Sequence, residues 1–262
     1  MSSRTKQKQE ARAARQDAER AEREAATRRR RLRRLGIVAA LAVALVAATI
    51  AITQGGSDEA DGDLATQAAE VESLLAGIPQ DGISLGDPDA PVVMREFADP
   101  QCPFCADYST DVFPEIVERY VRPGELRLEF DLLTFIGPDS ERAARVAAAA
   151  AGQDRMWEFV DLLFANQGTE NSGWATDERL REIAEAAPGL DAEAVFAERD
   201  SEAVTELLSA GQRRAQRLGV DSTPSFYTSR EGGPENRLEV TALDPDAFAD
   251  ELDALVGGGP GG

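Results

Sequence analysis

Apolar residues along this chain follow three rhythms in turn, and their order sketches the fold. Leu35 to Ile52 is a run of 18 residues without a charge. From Gln54 to about Ala76 the chain becomes rich in Gly, Asp, Glu and Ala and reads as a charged, extended tether with room for one short helix. Behind a turn at Gly86-Asp87-Pro88, the short apolar run Pro91 to Phe97 suits a buried strand. A helical stretch follows through Tyr120, closed by Pro123-Gly124, and Leu126 to Leu133 forms a second strand. Strand, helix, strand is a right-handed parallel unit in nearly all proteins.

After Gly137-Pro138 the period becomes helical. Ser140 is placed to cap an Ala-rich helix reaching Ala151, and Asp154 to cap another whose apolar face holds Met156, Trp157, Val160, Leu163 and Phe164. Thr176 begins a third helix, stopped by Pro188-Gly189, and Val204, Leu207, Leu208, Gly211, Ala215 and Leu218 mark one face of a fourth, ended by Gly219. Such stripes are what core-facing helices show by default. Ser225 to Thr228 and Arg237 to Val240 then read as a β-hairpin, and Asp246 to Val256 as a closing helix. The layout predicts an α/β domain over residues 78–256, ordered β, α, β, a helical insert about 138–218, then β, β, α. Residues 257–262, rich in Gly, close the chain as an irregular tail.

Composition narrows the chemistry. The 262 residues include no His and two Cys, Cys102 and Cys105, which excludes an imidazole base, a His-ligated metal and a zinc site of three or four thiolates. No metal site or external cofactor is expected. Carboxylates, two thiols or binding remain.

The net charge of −20 is unevenly spread: residues 1–34 carry 13 Lys and Arg against 5 Asp and Glu. The block Arg28 to Arg34 abuts the uncharged run, which as a helix would reach roughly 27 Å, close to the ~30 Å hydrocarbon thickness. This predicts a single transmembrane anchor at 35–53, with the basic arm 1–34 in the cytoplasm, the tether 54–77 and the folded domain outside the cell. A cleavable signal peptide is the competing reading, but its apolar region is usually about 7–15 residues long. The arm carries no aromatics and is interleaved with Glu19, Glu22 and Glu24, so no nucleic-acid partner is expected.

The chemistry concentrates at Cys102-Pro103-Phe104-Cys105. A thiol at the start of a helix, just after a strand, meets unpaired N–H groups and the positive helix end, which favour thiolate. That makes Cys102 the attacking sulfur and Cys105, one turn later, the one that resolves a mixed disulfide. An inert staple is the alternative, although so short a loop stabilises little.

Glu96 to Cys105, together with Gly219-Val220-Asp221-Ser222-Thr223-Pro224-Ser225-Phe226 far downstream, resembles the DsbA family of thioredoxin-fold thiol-disulfide oxidoreductases. Phe135 to Ser140, Trp157-Glu158-Phe159 and Glu170 to Trp174 resemble its membrane-anchored bacterial members. The similarity spans about residues 78–250. It implies a thioredoxin-like fold with an inserted all-helical subdomain, here preceded by one transmembrane helix.

By that resemblance, Cys102 and Cys105 match the attacking and resolving cysteines, flanking the active-site residues Pro103 and Phe104. Thr223 and Pro224 match the loop whose proline is cis and whose preceding residue pairs with an extended substrate. Glu96 matches the family's buried acid, which could shuttle the Cys105 proton, although strand alternation leaves a solvent-facing Glu96 open because Arg95 and Glu96 cannot both point inward. Well-known members carry His where Phe104 stands. Losing that hydrogen bond implies a milder oxidant with the Cys102 pKa at ~5–7.

The reading is thus a membrane-tethered, extracytoplasmic oxidoreductase that passes its Cys102–Cys105 disulfide to reduced, unfolded exported proteins and is recharged by a membrane redox partner. A reductase or isomerase on the same scaffold, and a redox-inert peptide-binding module, remain open alternatives.

Overall fold

The structure is a computed structural model that describes residues 64–230 and 233–257. Residues 64–75 form helix α1. A short hairpin, β1 (Gln80–Asp81) and β2 (Ser84–Leu85), precedes the central strand β3 (Val92–Ala98). Next come α2 (Pro103–Asp111), α3 (Phe113–Ile116), a widened π-turn at Val117–Val121 and strand β4 (Leu126–Leu132). The insert holds α4 (Pro138–Ala151), α5 (Met156–Ala165), α6 (Asp177–Ala186), α7 (Ala192–Glu198) and α8 (Glu202–Leu218). Strands β5 (Ser225–Arg230) and β6 (Asn236–Arg237) and helix α9 (Pro245–Val256) complete the unit.

The sheet order is β1-β2-β4-β3-β5-β6, with β3 and β4 parallel and every other pair antiparallel. Strand β3 is paired on both sides and covered on both faces, so its alternation serves two cores. Val92, Met94 and Ala98 join the main core, whereas Phe97 meets Leu133, Ala215 and Tyr227 on the other side. This settles the orientation of Arg95 and Glu96, which are 9% and 4% exposed on opposite faces. A solvent-facing Glu96 does not occur.

On the second face Arg95 reaches Asp131 at 3.0 Å and Glu235 at 2.9 Å and also bonds Glu129, while Arg214 of α8 reaches Asp131 at 2.7 Å. Helix α8 can lie this close because Gly211 faces the strand: a Cβ there would stand 3.0 Å from the Asp131 carboxylate. Breaking one partner of such a buried network strands the others, which costs more than an exposed ion pair.

Three expectations need correction. Ser140 does not cap α4, which starts at Pro138 with Gly137 at its N-cap; the hydroxyl turns instead to the buried Asp99. Asp154 does not cap α5, whose N-cap is Arg155; Asp154 has φ 56° and its carboxylate accepts the Gly82 N–H at 2.7 Å. Part of the segment 54–77 expected as tether is structured, because Leu64, Val71 and Leu75 share one face of α1 and enter the main core. Arg122 binds the end of α1 through the carbonyls of Leu74 and Ala76 at 2.7 and 3.1 Å.

The anchor expected at 35–53, the arm 1–34 and the tail from 258 lie outside the described residues. Among the described residues no helix is long and apolar enough to cross a membrane.

The docking of α1 predicts that Leu75→Ala costs about 2–4 kcal/mol, as for other large-to-small changes in a core. Urea denaturation of the full-length chain, with the midpoint lowered and the slope unchanged, checks this.

Candidate active site

The C-terminal end of β3 delivers the chain into a buried loop before α2 begins. Asp99 is fully buried and its carboxylate accepts from the Ser140 hydroxyl at 2.5 Å, the Gln101 N–H at 2.9 Å and the Ile136 N–H at 3.1 Å. Gln101, also fully buried, donates to Ser140 at 3.0 Å and accepts the Asn171 N–H at 2.6 Å. Gln167 donates to the carbonyls of Pro100 and Cys102 at 2.8 and 3.1 Å. These bonds tie the loop to the helical insert and so fix where α2 starts.

Cys102 is the N-cap of α2, with extended backbone (φ −73°, ψ 117°), and Pro103 fills the first helical position, where its missing N–H costs nothing. The first turn carries no acid to oppose a negative sulfur. The Thr223–Pro224 peptide bond is cis, and the Thr223 carbonyl accepts the Cys102 thiol at 3.3 Å. Phe104 is 60% exposed, and with Thr223, Pro224, Phe226, Leu238 and Val240 it lines a groove of about 300 Å³ beside the sulfur.

Both cysteines are free thiols, and their environments drive them apart. The Cys105 side chain donates a hydrogen bond to the Cys102 sulfur; this bond, then the Thr223 side chain and the backbone N–H groups of Cys105 and Phe104, outweighs burial and lowers the Cys102 pKa to about 6. The helix end alone contributes at most ~2 kcal/mol, enough to take a thiol from ~8.5 to ~7. The direct hydrogen bonds supply the rest. Burial, followed by the hydrogen bond and charge of Cys102, pushes the Cys105 thiol far up.

Beneath the pair lies Glu96, whose carboxyl is held well above the usual range by burial first and then by the charges of Cys102 and Asp161. It is close enough to Cys105 for its own charge to raise that thiol further. Its Oε1 is buried without a hydrogen-bond partner among the described residues. Helix α2 is held over it by Tyr108, fully buried, whose ring packs 4.6 Å from Phe226 and 5.3 Å from Phe248.

The fold therefore gathers Cys102, Pro103, Phe104, Cys105, Thr223, Pro224 and Glu96 at one end of the central strand. Asp99, Gln101, Ser140, Gln167 and Asn171, which fix the loop, are not legible as site residues, because each of them reads alone as an ordinary loop or cap residue. Asp99 and Gln101, polar positions directly after a buried strand, are a local signal, and all five but Gln167 lie in the stretches that carry the family resemblance. The arrangement suits thiol-disulfide exchange: a first sulfur, itself buried, beside the groove at Thr223 and Pro224, a fully buried second sulfur and a carboxyl below it. Among the described residues no group of three or more His, Cys, Asp or Glu side chains is placed to hold a metal ion.

A family profile described as Thioredoxin matches residues 79–232. A probable disulfide bond formation protein D from Bacillus cereus is 33% identical over 198 residues, covering 74% of this chain and 87% of that protein. The disulfide bond formation protein D of Bacillus subtilis is 27% identical over 147 residues, covering 55% and 66% respectively. In structure, oxidised BdbD from Bacillus subtilis superposes with a TM-score of 0.59 at 23% identity, covering 69% of this chain and 98% of that one. At that identity the likeness shows the fold alone.

The environment of Cys102 predicts a thiolate midpoint near pH 6. Its alkylation rate should rise through that pH and level off above it, and Thr223→Val should move the midpoint upward by up to about one unit, one hydrogen bond to a charged sulfur being worth ~1.5 kcal/mol. A midpoint unchanged in the variant contradicts the assignment.

Proposed function

The chain belongs to the thioredoxin family, among its DsbA-like disulfide oxidoreductases, and from that premise we propose that it introduces disulfides into exported proteins through Cys102 and Cys105. It is a protein thiol-disulfide oxidoreductase whose redox group is its own cysteine pair. The observation that carries the oxidase reading is the inequivalence of the two sulfurs: Cys102 rests as a thiolate near neutral pH, whereas Cys105 holds its proton. Stabilising the thiolate stabilises the reduced form, so the disulfide is more readily given away.

In the forward reaction a substrate thiolate attacks the Cys102 sulfur of the Cys102–Cys105 disulfide. That bond breaks as the mixed disulfide forms, and Cys105 leaves, taking a proton from Glu96. A second substrate thiolate then attacks the substrate sulfur of the mixed disulfide. A substrate disulfide is released with Cys102 as the departing thiolate, so two electrons pass to the enzyme. An extended substrate lies in the groove against Thr223, Pro224 and Phe104, where backbone pairing favours unfolded chains over folded ones.

Where Phe104 stands, a hydrogen-bonding residue would stabilise the thiolate further; the phenyl ring keeps the oxidant mild. Recharging falls to a membrane redox partner. The anchor at 35–53, preceded by the Arg-rich block, holds the domain on the outer face of the cell membrane, where disulfides persist.

Trapping tests this directly. Full-length Cys105→Ser, its Cys102 first converted to the mixed disulfide with glutathione, should exchange glutathione for a thiol of a reduced, unfolded protein and accumulate that protein on Cys102, while Cys102→Ser treated alike should trap none. Non-reducing electrophoresis and mass mapping of the linked peptides read the outcome. Equal trapping by both variants contradicts the division of roles.

A further inference from the structure

Helix α5 buries one hydrophobic face, yet that face is interrupted by a carboxylate. Asp161 sits between Val160 and Leu162, half-buried, and accepts a hydrogen bond from the Ser109 hydroxyl at 2.7 Å. Between it and Glu96 lies a small, partly open cavity with about 10 Å³ of room for water, lined by both acids with Tyr108, Ser109, Trp157 and the rings of Phe113, Phe130 and Phe164. That is about the space of one water-sized sphere.

Three of the lining residues carry buried polar atoms with no hydrogen-bond partner among the described residues: Glu96 Oε1, Tyr108 OH and Trp157 Nε1. Leaving such groups unpaired costs about 1–3 kcal/mol each, whereas one water makes two to four hydrogen bonds. The cavity has both the size and the polar partners that a structural water requires.

Resting on the proposed role of Glu96, we infer that Asp161 is the outlet of a proton path that runs from the Cys105 thiol through Glu96 and a single cavity water to the surface. Asp161 is a relay residue acting through Glu96. It touches neither sulfur nor substrate. When Cys105 attacks the mixed disulfide on Cys102, its S–H proton passes to Glu96, the new Cys102–Cys105 bond forms, and the substrate sulfur departs with the electron pair. The proton leaves Glu96 by the water, reaches the Asp161 carboxylate and exits. In the forward direction the same path delivers the proton that Cys105 takes up.

The groups facing Asp161 agree with this. Glu96 of β3 faces it across the cavity, α2 brings Tyr108 and Ser109, and α3 and β4 present Phe113 and Phe130. On α5 itself Glu158 turns away to Gln80 at 2.7 Å and to Arg155. The residues lining the cavity include no Lys or Arg that would fix Asp161 as a permanent anion. Burial, opposed by the Ser109 hydrogen bond, lifts its carboxyl to about 6, where it exchanges protons readily near neutral pH.

The test isolates the resolving step in the full-length chain. With glutathione preloaded on Cys102, stopped-flow mixing follows its release by Cys105 across pH 5–9. Cys102 carries no proton in that species, so a limb near pH 6 belongs to the carboxylates. Asp161→Asn should slow release about tenfold or more and flatten that limb. Asp161→Glu, or added formate, should restore it, while the alkylation rate of free Cys102 stays at the parent value. Ser109→Ala, which removes only the hydrogen bond, should shift the limb to higher pH.

Release by Asp161→Asn at the parent rate overturns the path, as does slowing that neither Asp161→Glu nor formate relieves. Glu96→Gln, run alongside, separates the two readings. Slowing in Glu96→Gln alone leaves Glu96 its role and removes Asp161, and parent rates in both remove both.

Discussion

The hydrogen bonds that hold the Cys102 sulfur at the first turn of α2 are the constraint on which the site depends. A helix end by itself makes a thiol only modestly acidic. Reaching a thiolate near neutral pH takes donors at fixed positions, and here they come from Cys105 one turn on and from Thr223 on a distant loop. Neither donor is in place unless β3 ends where it does, α2 starts where it does and β5 brings Thr223 across. The buried bonds of Asp99, Gln101 and Gln167 meet the first two conditions, and the antiparallel pairing of β5 along β3 meets the third.

The same geometry explains why the second sulfur behaves oppositely. Cys105 is fully buried and lies above a carboxyl that is itself buried, so burial and the neighbouring charges disfavour a second negative charge. One fold thus holds a stabilised anion and a reluctant acid a single helical turn apart. Glu96 can occupy its place because β3 is the middle of a sheet covered on both sides. Arg95 takes the other face and is neutralised there by Asp131, Glu129 and Glu235, and among the described residues no cation pairs with Glu96.

Much of this was legible in the sequence. The apolar run before Cys102, the spacing of the cysteines and the Thr223-Pro224 signature located both halves of the site, and helical periodicity located the insert. The loop straps escaped because their partners are far apart in sequence: Gln101 meets Asn171, and Asp99 meets Ser140, through contacts that no local period encodes. Ser140 and Asp154 were misread for the same reason. A cap rule sees the next few residues, whereas both side chains answer to distant backbone or side-chain groups. Helix α1 was hidden by composition, its buried Leu64, Val71 and Leu75 diluted among Ala, Gln and Glu. The apolar run 35–53 lies outside the described residues, so its reading rests on length and charge.

The central claim is that Cys102, stabilised as a thiolate, makes this disulfide one that is given away. The most direct measurement is the equilibrium reduction potential of the full-length protein in glutathione buffers, with thiol state read by alkylation and mass. A value of about −120 to −180 mV is the predicted result, in the range of proteins that drive disulfide formation. A value near −270 mV, that of a thioredoxin-like reductant, would contradict the account.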